Sequence, residues 1–368
     1  MLEFIRIQRF KTLLDASFPL SNLNLLTGFN GMGKSSLLQT LLLLRQSYER
    51  NTLGSRGLLL KGDYLSLGVG KDILSAQAET NTIDFLLKWV EREPVRFSFT
   101  FSPQSDLQPL AEPVSIDKPD GISLFNHNFQ YLSADRIGPQ SAYELSDFHI
   151  RDLNSLGNRG EYAVHFIAEN SLKSIAVPSL RHVMASSDNF LENLNAWMSE
   201  ISPGVRIHAT ASPQSNTAIL GYAFLQGKES TDDFKPQNVG FGLSYALPVV
   251  TALLHAKAGD LLLLENPESH LHPAGQALMG RLCALASQCG IQLIVESHSD
   301  HFLNGIRVAV KRRLINQDLV RIFFLDRNRE NASHASDVHT PTIDEAGRID
   351  EWPAGFFDEW DKQLENLL

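Results

Sequence analysis

The chain has 368 residues, of which 43% are hydrophobic, 20% charged and 9% aromatic, so it can build a packed core and does not belong to the disordered class. Thirty-two Lys and Arg against 42 Asp and Glu give a net charge of -10, which argues against a general nucleic-acid coat but leaves room for a local basic groove. Two cysteines are too few for a disulfide framework, and the apolar runs are far shorter than the ~20 residues that cross a bilayer, so we expect a cytoplasmic protein of one or two domains that makes no contact with a membrane.

The first hundred residues predict strands on either side of a glycine loop and a helix. Apolar and polar residues alternate near the start, a second apolar run leads into the glycine loop, and a leucine-rich run of good helix formers follows it. The predicted strands are 4–10, 23–26, 82–89 and 95–101, and the predicted helix is 37–45.

Four prolines between residues 102 and 120 break any regular element and mark a candidate domain boundary. We predict a small helical insert at 102–201, with Asp188 as the cap of its second helix, and a head domain formed by 1–101 and 202–368. The later runs return to an α/β pattern, and no heptad run predicts a coiled-coil arm. The predicted strands are 130–133, 219–226, 261–264 and 293–295, and the predicted helices are 161–174, 189–201, 238–256 and 275–287.

The glycine loop fits a phosphate-binding pattern, with Gly28, Gly33, Lys34 and Ser35 at the required spacing between a strand and a helix. Glycines let backbone N–H groups surround phosphate oxygens, and the helix amino terminus adds partial positive charge. Lys34 would bridge the β- and γ-phosphates, and the Ser35 hydroxyl suits Mg²⁺, which prefers oxygen ligands. The nucleotide contacts predicted here are Asn30, Gly31, Gly33, Lys34, Ser35 and Ser36.

Two later strands end in polar residues that suit the same nucleotide. A run of leucines ends at Glu265, a carboxylate that can hold Mg²⁺ directly or through water. The next apolar strand leads to His298, which can reach a γ-phosphate or an attacking water, because the carboxyl ends of parallel strands converge. A third stretch opens a helix with Asn238, Gly240 and Gly242, an arrangement that can bind an anion or simply form a turn and a helix cap.

These elements in this order resemble the ABC-type ATPase heads of the SMC, RecF and overcoming-lysogenization-defect families. Residues 4–11 and 26–36 are similar to the start of such a head, and 264–273 and 296–299 to its acidic strand and switch histidine. Residues 351–359 are similar to a C-terminal segment of compact bacterial members, including Septu-type anti-phage defence ATPases. The resemblance implies an α/β fold, namely an ABC-type P-loop ATPase head with a mixed sheet.

The resemblance also implies a head-to-tail dimer that holds two ATP molecules with Mg²⁺. Asn238 and Gly240 then stand where a Ser and a Gly of the family contact the γ-phosphate held by the partner. Asn266 is a departure, because many members carry there the glutamate that polarises water, and an amide cannot take a proton. Hydrolysis is then slow, relies on Glu268, or is absent. The family's Mg²⁺-sensing glutamine has two candidates, Gln46 and Gln77.

Our leading functional hypothesis is an ATP-binding, slowly hydrolysing dimer that regulates a separate effector, a nuclease, in anti-phage defence. The alternatives are a RecF-like DNA-repair ATPase that clamps DNA and a nucleotide-gated scaffold without turnover. A basic run from Arg307 to Arg313 favours DNA contact or is a solvated helix face.

Two further features of the sequence leave alternatives open. The pair His270 and His272, together with Glu296, His298 and His301, allows a metal site instead of a nucleotide site. The acidic, aromatic stretch 344–365 either docks a partner protein or packs against its own head.

Overall fold

The computed structural model describes residues 1–227, 229–327 and 335–367, residues 360 and 361 by their backbone alone. Two units divide the chain. The first holds Met1–Asn126, Val320–Ile343 and Ile349–Leu368, and the second holds His127–Leu319 and Asp344–Arg348. The strands are β1 (Leu2–Phe10), β2 (Leu13–Pro19), β3 (Leu23–Gly28), β4 (Gly57–Leu59), β5 (Thr82–Trp89), β6 (Val95–Thr100), β7 (Leu107–Pro109), β8 (Phe129–Leu132), β9 (Tyr143–Glu144), β10 (Val205–Ser212), β11 (Thr217–Gln226), β12 (Glu229–Ser230), β13 (Leu261–Glu265), β14 (Gln292–Glu296), β15 (Val320–Asp326) and β16 (Asp337–His339). The α-helices are α1 (Lys34–Glu49), α2 (Ala163–Asn170), α3 (Phe190–Ile201), α4 (Phe241–His255), α5 (Pro273–Gln288), α6 (Asp300–Lys311) and α7 (Glu359–Leu367).

An antiparallel sheet in the first unit has the order β2-β1-β5-β6. Along β1 the side chains of Ile5 and Ile7 are fully buried, whereas Arg6 between them is exposed, as the alternating sequence predicts. Phe10 pairs with Leu13 where β1 turns back into β2. The buried face of this sheet carries a cluster of edge-to-face aromatic rings centred on Phe85.

In the same unit, β3 pairs in parallel with β15, and β15 pairs antiparallel with β16. Leu25 and Leu26 point to opposite faces of β3 and are both fully buried, which explains why this strand is continuously apolar and does not alternate. β3 ends at Gly28 and leads through a short loop into α1. The predicted order of strand, loop and helix is confirmed.

The second unit contains a parallel arrangement in which β13 lies between β14 and β8. Glu265 at the end of β13 is in register with Glu296 at the end of β14, and Leu264 with Leu132 of β8. The predicted parallel strands are therefore confirmed, and their carboxyl ends lie at one edge.

Side chains of the sequence motifs cap the two helices that follow these strands. Nδ1 of His272 accepts a hydrogen bond from the backbone N–H of Ala274 (3.3 Å) at the start of α5. The Ser299 hydroxyl accepts one from the N–H of Phe302 (3.0 Å) at the start of α6. Each cap satisfies a backbone donor that a helix start leaves unpaired. His272 therefore has a structural role in starting α5.

The predicted cap at Asp188 is wrong. The residue before α3 is Asn189, its side chain makes no capping hydrogen bond, and the carbonyl of Asp188 instead accepts from the backbone N–H of Ile175 (3.0 Å). A side chain can cap only from the position at which the chain enters the helix, and here the chain enters one residue later than predicted.

The two units divide at Asn126 and His127, which lie within the predicted insert 102–201. Residues 102–201 contain the helices α2 and α3, and they also contribute β8, which pairs with the acidic strand β13. The head and insert boundaries stay a prediction. Within the described chain no helix exceeds 16 residues, and none is long and apolar enough to cross a membrane.

Candidate functional site: phosphate loop, acidic strand and switch histidine

The phosphate loop joins β3 to α1 in the first unit. The ammonium of Lys34, which is 4% exposed, donates hydrogen bonds to the carbonyl oxygens of Gly28 (3.0 Å) and Phe29 (2.8 Å). Two loop carbonyls therefore already bind the lysine ammonium. A phosphate would offer this ammonium a stronger, charged acceptor than two carbonyls.

The amino terminus of α1 has the properties of an anion site. Gly33 precedes the helix with φ 85°, no side chain caps the helix, and no acidic residue lies in its first turn. A Cβ on Gly33 would lie 2.5 Å from the Thr12 hydroxyl, so this position also needs glycine for space. The first helix N–H groups and the helix dipole can therefore act on a phosphate.

The two glutamine candidates lie in different surroundings. Gln46 is 1% exposed and lies on α1 twelve residues beyond Lys34, which places it ~18 Å along the helix axis. Its amide donates to the carbonyl of Leu59 (2.7 Å). Gln46 is therefore too far away to sense an ion at the loop, and that candidate is wrong. Gln77 accepts from the backbone N–H of Ala335 (3.1 Å) and stays a candidate.

The acidic strand of the second unit ends at Glu265, whose two carboxylate oxygens accept hydrogen bonds from two different donors. One accepts from the Tyr131 hydroxyl (3.0 Å) and the other from the backbone N–H of Ala134 (3.1 Å). Burial and the Glu265 charge raise the pKa of Tyr131, so this phenol keeps its proton and remains a donor. Glu265 is a partly exposed, fixed carboxylate with oxygen lone pairs left for an ion.

Sequence reasoning missed Arg136, which fixes the end of the acidic strand. This side chain is 1% exposed and lies over the Tyr245 ring at 5.6 Å. Its guanidinium donates to the carbonyls of Glu265 (2.7 Å) and Asn266. Burial lowers the pKa of Arg136 to about 10, which leaves it charged at neutral pH. The signal in the sequence that could have identified Arg136 is its position four residues beyond β8. The carboxyl ends of parallel strands converge, so a residue just after one such strand can reach the end of the next.

Two separate hydrogen bonds connect the chain segments around the carboxyl ends of β13 and β14 at this edge. The N–H of Asn266 donates to the carbonyl of Glu296 (2.8 Å), and Asn266 itself has φ 44°, a conformation that asparagine tolerates well. One carboxylate oxygen of Glu268 accepts from the Ser297 hydroxyl (2.6 Å), while the other has no hydrogen-bond partner within the described residues. Glu268 is 5% exposed, and burial raises the pKa of its carboxyl group.

His298 is the most accessible of the predicted catalytic residues. Its side chain is 43% exposed, and its Nε2 lies 4.0 Å from the nearer carboxylate oxygen of Glu296. Its backbone N–H faces Glu268 at 3.4 Å, so the acidic strand and the switch histidine are connected through that carboxylate. The residues that the structure describes contain no group of three or more His, Cys, Asp or Glu side chains suited to a metal ion, so they do not support the alternative metal site at these histidines.

The glycine stretch before α4 is exposed. Asn238 and Gly240 both lie on the surface, Gly240 precedes the helix, and the helix start has no side-chain cap and no acidic residue in its first turn. A Cβ on Gly240 would meet nothing within 4 Å, whereas one on Gly242 would lie 2.6 Å from the carbonyl of His270. Gly242 is therefore required by packing. The neighbouring Phe241 is 58% exposed, an apolar side chain at an uncapped helix end.

Comparison with known proteins shows matching families and a shared fold. Residues 23–304 match the family described as "AAA domain, putative AbiEii toxin, Type IV TA system", and residues 315–367 match one described as a protein of unknown function (DUF3696). No curated protein matches the chain by sequence.

Two solved SMC heads share the fold. An SMC head bound to the C-terminal winged-helix domain of ScpA is 14% identical, with 94% of this chain and 98% of that chain covered and a TM-score of 0.54. An SMC head with an extended coiled coil, bound to the C-terminal domain of ScpA from Pyrococcus furiosus, is 12% identical, with 100% and 99% covered and a TM-score of 0.52. The predicted fold class, a mixed α/β P-loop head, is confirmed, and the residues that the structure describes form no long coiled coil.

Proposed function

Because the chain belongs to the family described as "AAA domain, putative AbiEii toxin, Type IV TA system" and has an SMC-head-like P-loop ATPase fold, we propose that it binds ATP with Mg²⁺ and hydrolyses it slowly. The observation that carries this proposal is the phosphate loop. Lys34 is buried and donates to two carbonyls of the loop, next to an uncapped helix start that lacks acidic residues. Such a helix start attracts phosphate, and the lysine supplies the charge that neutralises it.

The oxygen donors of the chain suit Mg²⁺. Ser35 offers a hydroxyl at the first turn of α1, and Glu265 offers a carboxylate that neighbouring donors hold in place. Hydroxyl and carboxylate oxygens are the ligands that this small, hard ion accepts. Bound Mg²⁺ would neutralise charge on the phosphates. The proposed phosphate contacts are the loop residues Asn30, Gly31, Gly33, Lys34, Ser35 and Ser36.

Glu268 supports turnover in place of the missing glutamate. Its raised pKa and its unpartnered oxygen are properties of a carboxylate that can accept a proton, while Ser297 fixes its orientation. Asn266 orients the attacking water through its amide and takes no proton. His298 is exposed at the same edge, where it would contact the γ-phosphate. We expect slow hydrolysis, because the proposed base, Glu268, is buried and the position where the family carries its glutamate is occupied by the amide of Asn266.

The second half of each nucleotide site would come from another copy of the chain. Asn238, Gly240 and Gly242 would meet the γ-phosphate held by the partner, since the helix start that they open is uncapped and exposed. The exposed Phe241 would be buried by the same closure. ATP is then the element that joins two copies head to tail.

Closure of this dimer would regulate a separate effector, a nuclease, in anti-phage defence. The similarity of residues 351–359 to the C-terminal segment of Septu-type ATPases supports this proposal, together with the toxin–antitoxin description of the matched family. A second candidate is a DNA clamp of the RecF kind, favoured by three consecutive exposed cations, Lys311, Arg312 and Arg313. Arg307, the fourth cation of the predicted basic face, is half-buried, and its guanidinium donates to the carbonyl of Gly347 (2.9 Å).

One set of measurements separates these proposals. Light scattering of the purified protein, with and without ATP and Mg²⁺, tests closure, and Lys34→Ala should prevent the mass from doubling. DNA binding that weakens steeply with salt, and that is lost on neutralising the three cations, would favour the clamp. Effector regulation predicts instead a stable complex with a nuclease in the absence of DNA. A wild-type protein that neither binds ATP nor changes mass would refute the function proposed here.

A further inference from the structure

A short C-terminal segment of the first unit is anchored by aromatic packing. We call residues 352–358 the clasp. Phe356 is completely buried and packs edge-to-face on Phe324 of β15, with 5.4 Å between the ring centroids. Trp352 and Phe357 pack on the same Phe356 ring at 5.2 and 5.0 Å. The clasp is therefore attached to β15, the strand that pairs with β3.

Within the clasp, Gly355 lies directly against a residue of the phosphate loop. A Cβ on Gly355 would lie 2.1 Å from Cζ and 2.6 Å from Cε2 of the Phe29 ring. Gly355 has φ 86°, a conformation that glycine adopts without strain, and its N–H donates to the Asp358 carboxylate (2.9 Å). The Phe29 ring also meets Phe324, at 6.0 Å between centroids. The Phe29 ring therefore packs against both the clasp and β15.

Phe29 connects the clasp to the nucleotide lysine. Its ring rests on the clasp, while its carbonyl accepts from the Lys34 ammonium (2.8 Å) and from the N–H of Met32 (3.4 Å). We propose that the clasp is a positioning element that holds the phosphate loop in its binding geometry through Phe29. This gives a role to a segment of the family of unknown function, which covers residues 315–367. The link to ATP rests on the function proposed above, whereas the link to loop geometry does not.

A pair of glycine substitutions tests the contact. Gly355→Ala places a methyl group against the Phe29 ring, whereas Gly259→Ala adds the same methyl group at φ 92° with no atom within 4 Å. Both variants carry the strain of alanine at positive φ, so their difference reports the clash. Phe29→Ala removes the ring, and in that background Gly355→Ala should add no further effect.

The first readout needs no nucleotide. We expect hydrogen exchange of the amides in residues 29–36 to accelerate about tenfold in Gly355→Ala and in Phe29→Ala, to accelerate no further in the double variant and to stay unchanged in Gly259→Ala. Unchanged exchange in Gly355→Ala, while its melting temperature matches that of Gly259→Ala, would overturn the proposal. Trp352 is already 48% exposed, so a clasp detached from the fold would be reported separately by the change in tryptophan fluorescence when the Trp352 ring leaves the Phe356 ring.

The second readout is ATP affinity. Displacing a phosphate-binding loop by about 1 Å costs on the order of tenfold or more, so we expect about tenfold weaker binding of a fluorescent ATP analogue by Gly355→Ala than by Gly259→Ala. Equal affinities in the two variants would overturn the coupling to ATP. A wild-type protein that fails to bind the analogue would instead refute the proposed function, and the exchange measurement would still decide whether the clasp positions the loop.

Discussion

Replacing Glu268 separates its structural role from its chemical role. Glu268→Ala removes the acceptor of the Ser297 hydroxyl, and Ser297 is completely buried. Glu268→Gln keeps a carbonyl oxygen at the accepting position and removes only the charge and the proton-accepting group. Asp260→Asn is the matched control, because Asp260 is a second buried carboxylate with one unpartnered oxygen, placed just before the opposite end of β13.

The structure sets the size of each effect. The Ser297 hydroxyl would still accept from the N–H of Ser299, but its buried O–H donor would lose its acceptor. A buried donor left unsatisfied costs ~1–3 kcal/mol, and the lost methylenes add ~1 kcal/mol or more, so Glu268→Ala should lower the free energy of unfolding by ~2–4 kcal/mol. Glu268→Gln should stay within ~1 kcal/mol of the wild type at neutral pH, because it keeps the hydrogen bond and no longer buries a charge. Turnover should be lost in Glu268→Gln and kept in Asp260→Asn.

The pH dependence of stability has a definite sign. Burial raises the pKa of Glu268 in the folded protein above the unfolded value of ~4.3, so the folded state favours the protonated carboxyl group. The stability that this group contributes is present below pH ~4.3 and is lost as the pH rises through the folded pKa. The wild type should therefore lose stability relative to Glu268→Gln as the pH rises above ~4.3.

Urea unfolding across this pH range and phosphate release at neutral pH are the assays. The reasoning about the fold is refuted if Glu268→Gln is as unstable as Glu268→Ala. The reasoning about chemistry is refuted if Glu268→Gln folds normally and hydrolyses ATP at the wild-type rate.

Three further predictions concern other residues. Arg136→Met should cost ~2–4 kcal/mol in urea unfolding, because the carbonyl of Glu265 loses its buried charged donor, and full wild-type stability would contradict this. Burial lowers the pKa of His255 to about 4, so stability should fall as the pH drops from ~6.5 towards 4, and less so in His255→Asn. Gly242→Ala should cost ~1–3 kcal/mol by collision with a backbone carbonyl, whereas Gly240→Ala should fold normally and weaken ATP-dependent dimerisation in light scattering.

Local patterns were enough to predict the parts of the site that lie next to each other in sequence. The spacing of Gly28, Gly33 and Lys34 predicted a loop between β3 and α1, and the leucine run predicted a buried strand ending at Glu265. Each prediction rests on a few neighbouring residues whose chemistry and periodicity agree.

Contacts between distant parts of the sequence could not be predicted in this way. Arg136 reaches Glu265 across 129 residues, and the Phe29 ring rests on Gly355 near the other end of the chain. Both contacts depend on which strands become neighbours, namely β8 with β13 and β3 with β15. One sequence carries no signal for that pairing beyond the strands themselves.

The most direct test of the account is steady-state phosphate release from ATP with Mg²⁺ by the wild type, Lys34→Ala and Lys61→Ala. Lys61 is a surface lysine whose nearest carboxylate, on Asp106, lies 3.8 Å away, so its replacement controls for the loss of a charge. The account predicts slow turnover in the wild type and in Lys61→Ala, and none in Lys34→Ala. Turnover that survives Lys34→Ala, or no turnover in a wild type that binds ATP, would contradict the proposal that the phosphate loop belongs to a working ATPase.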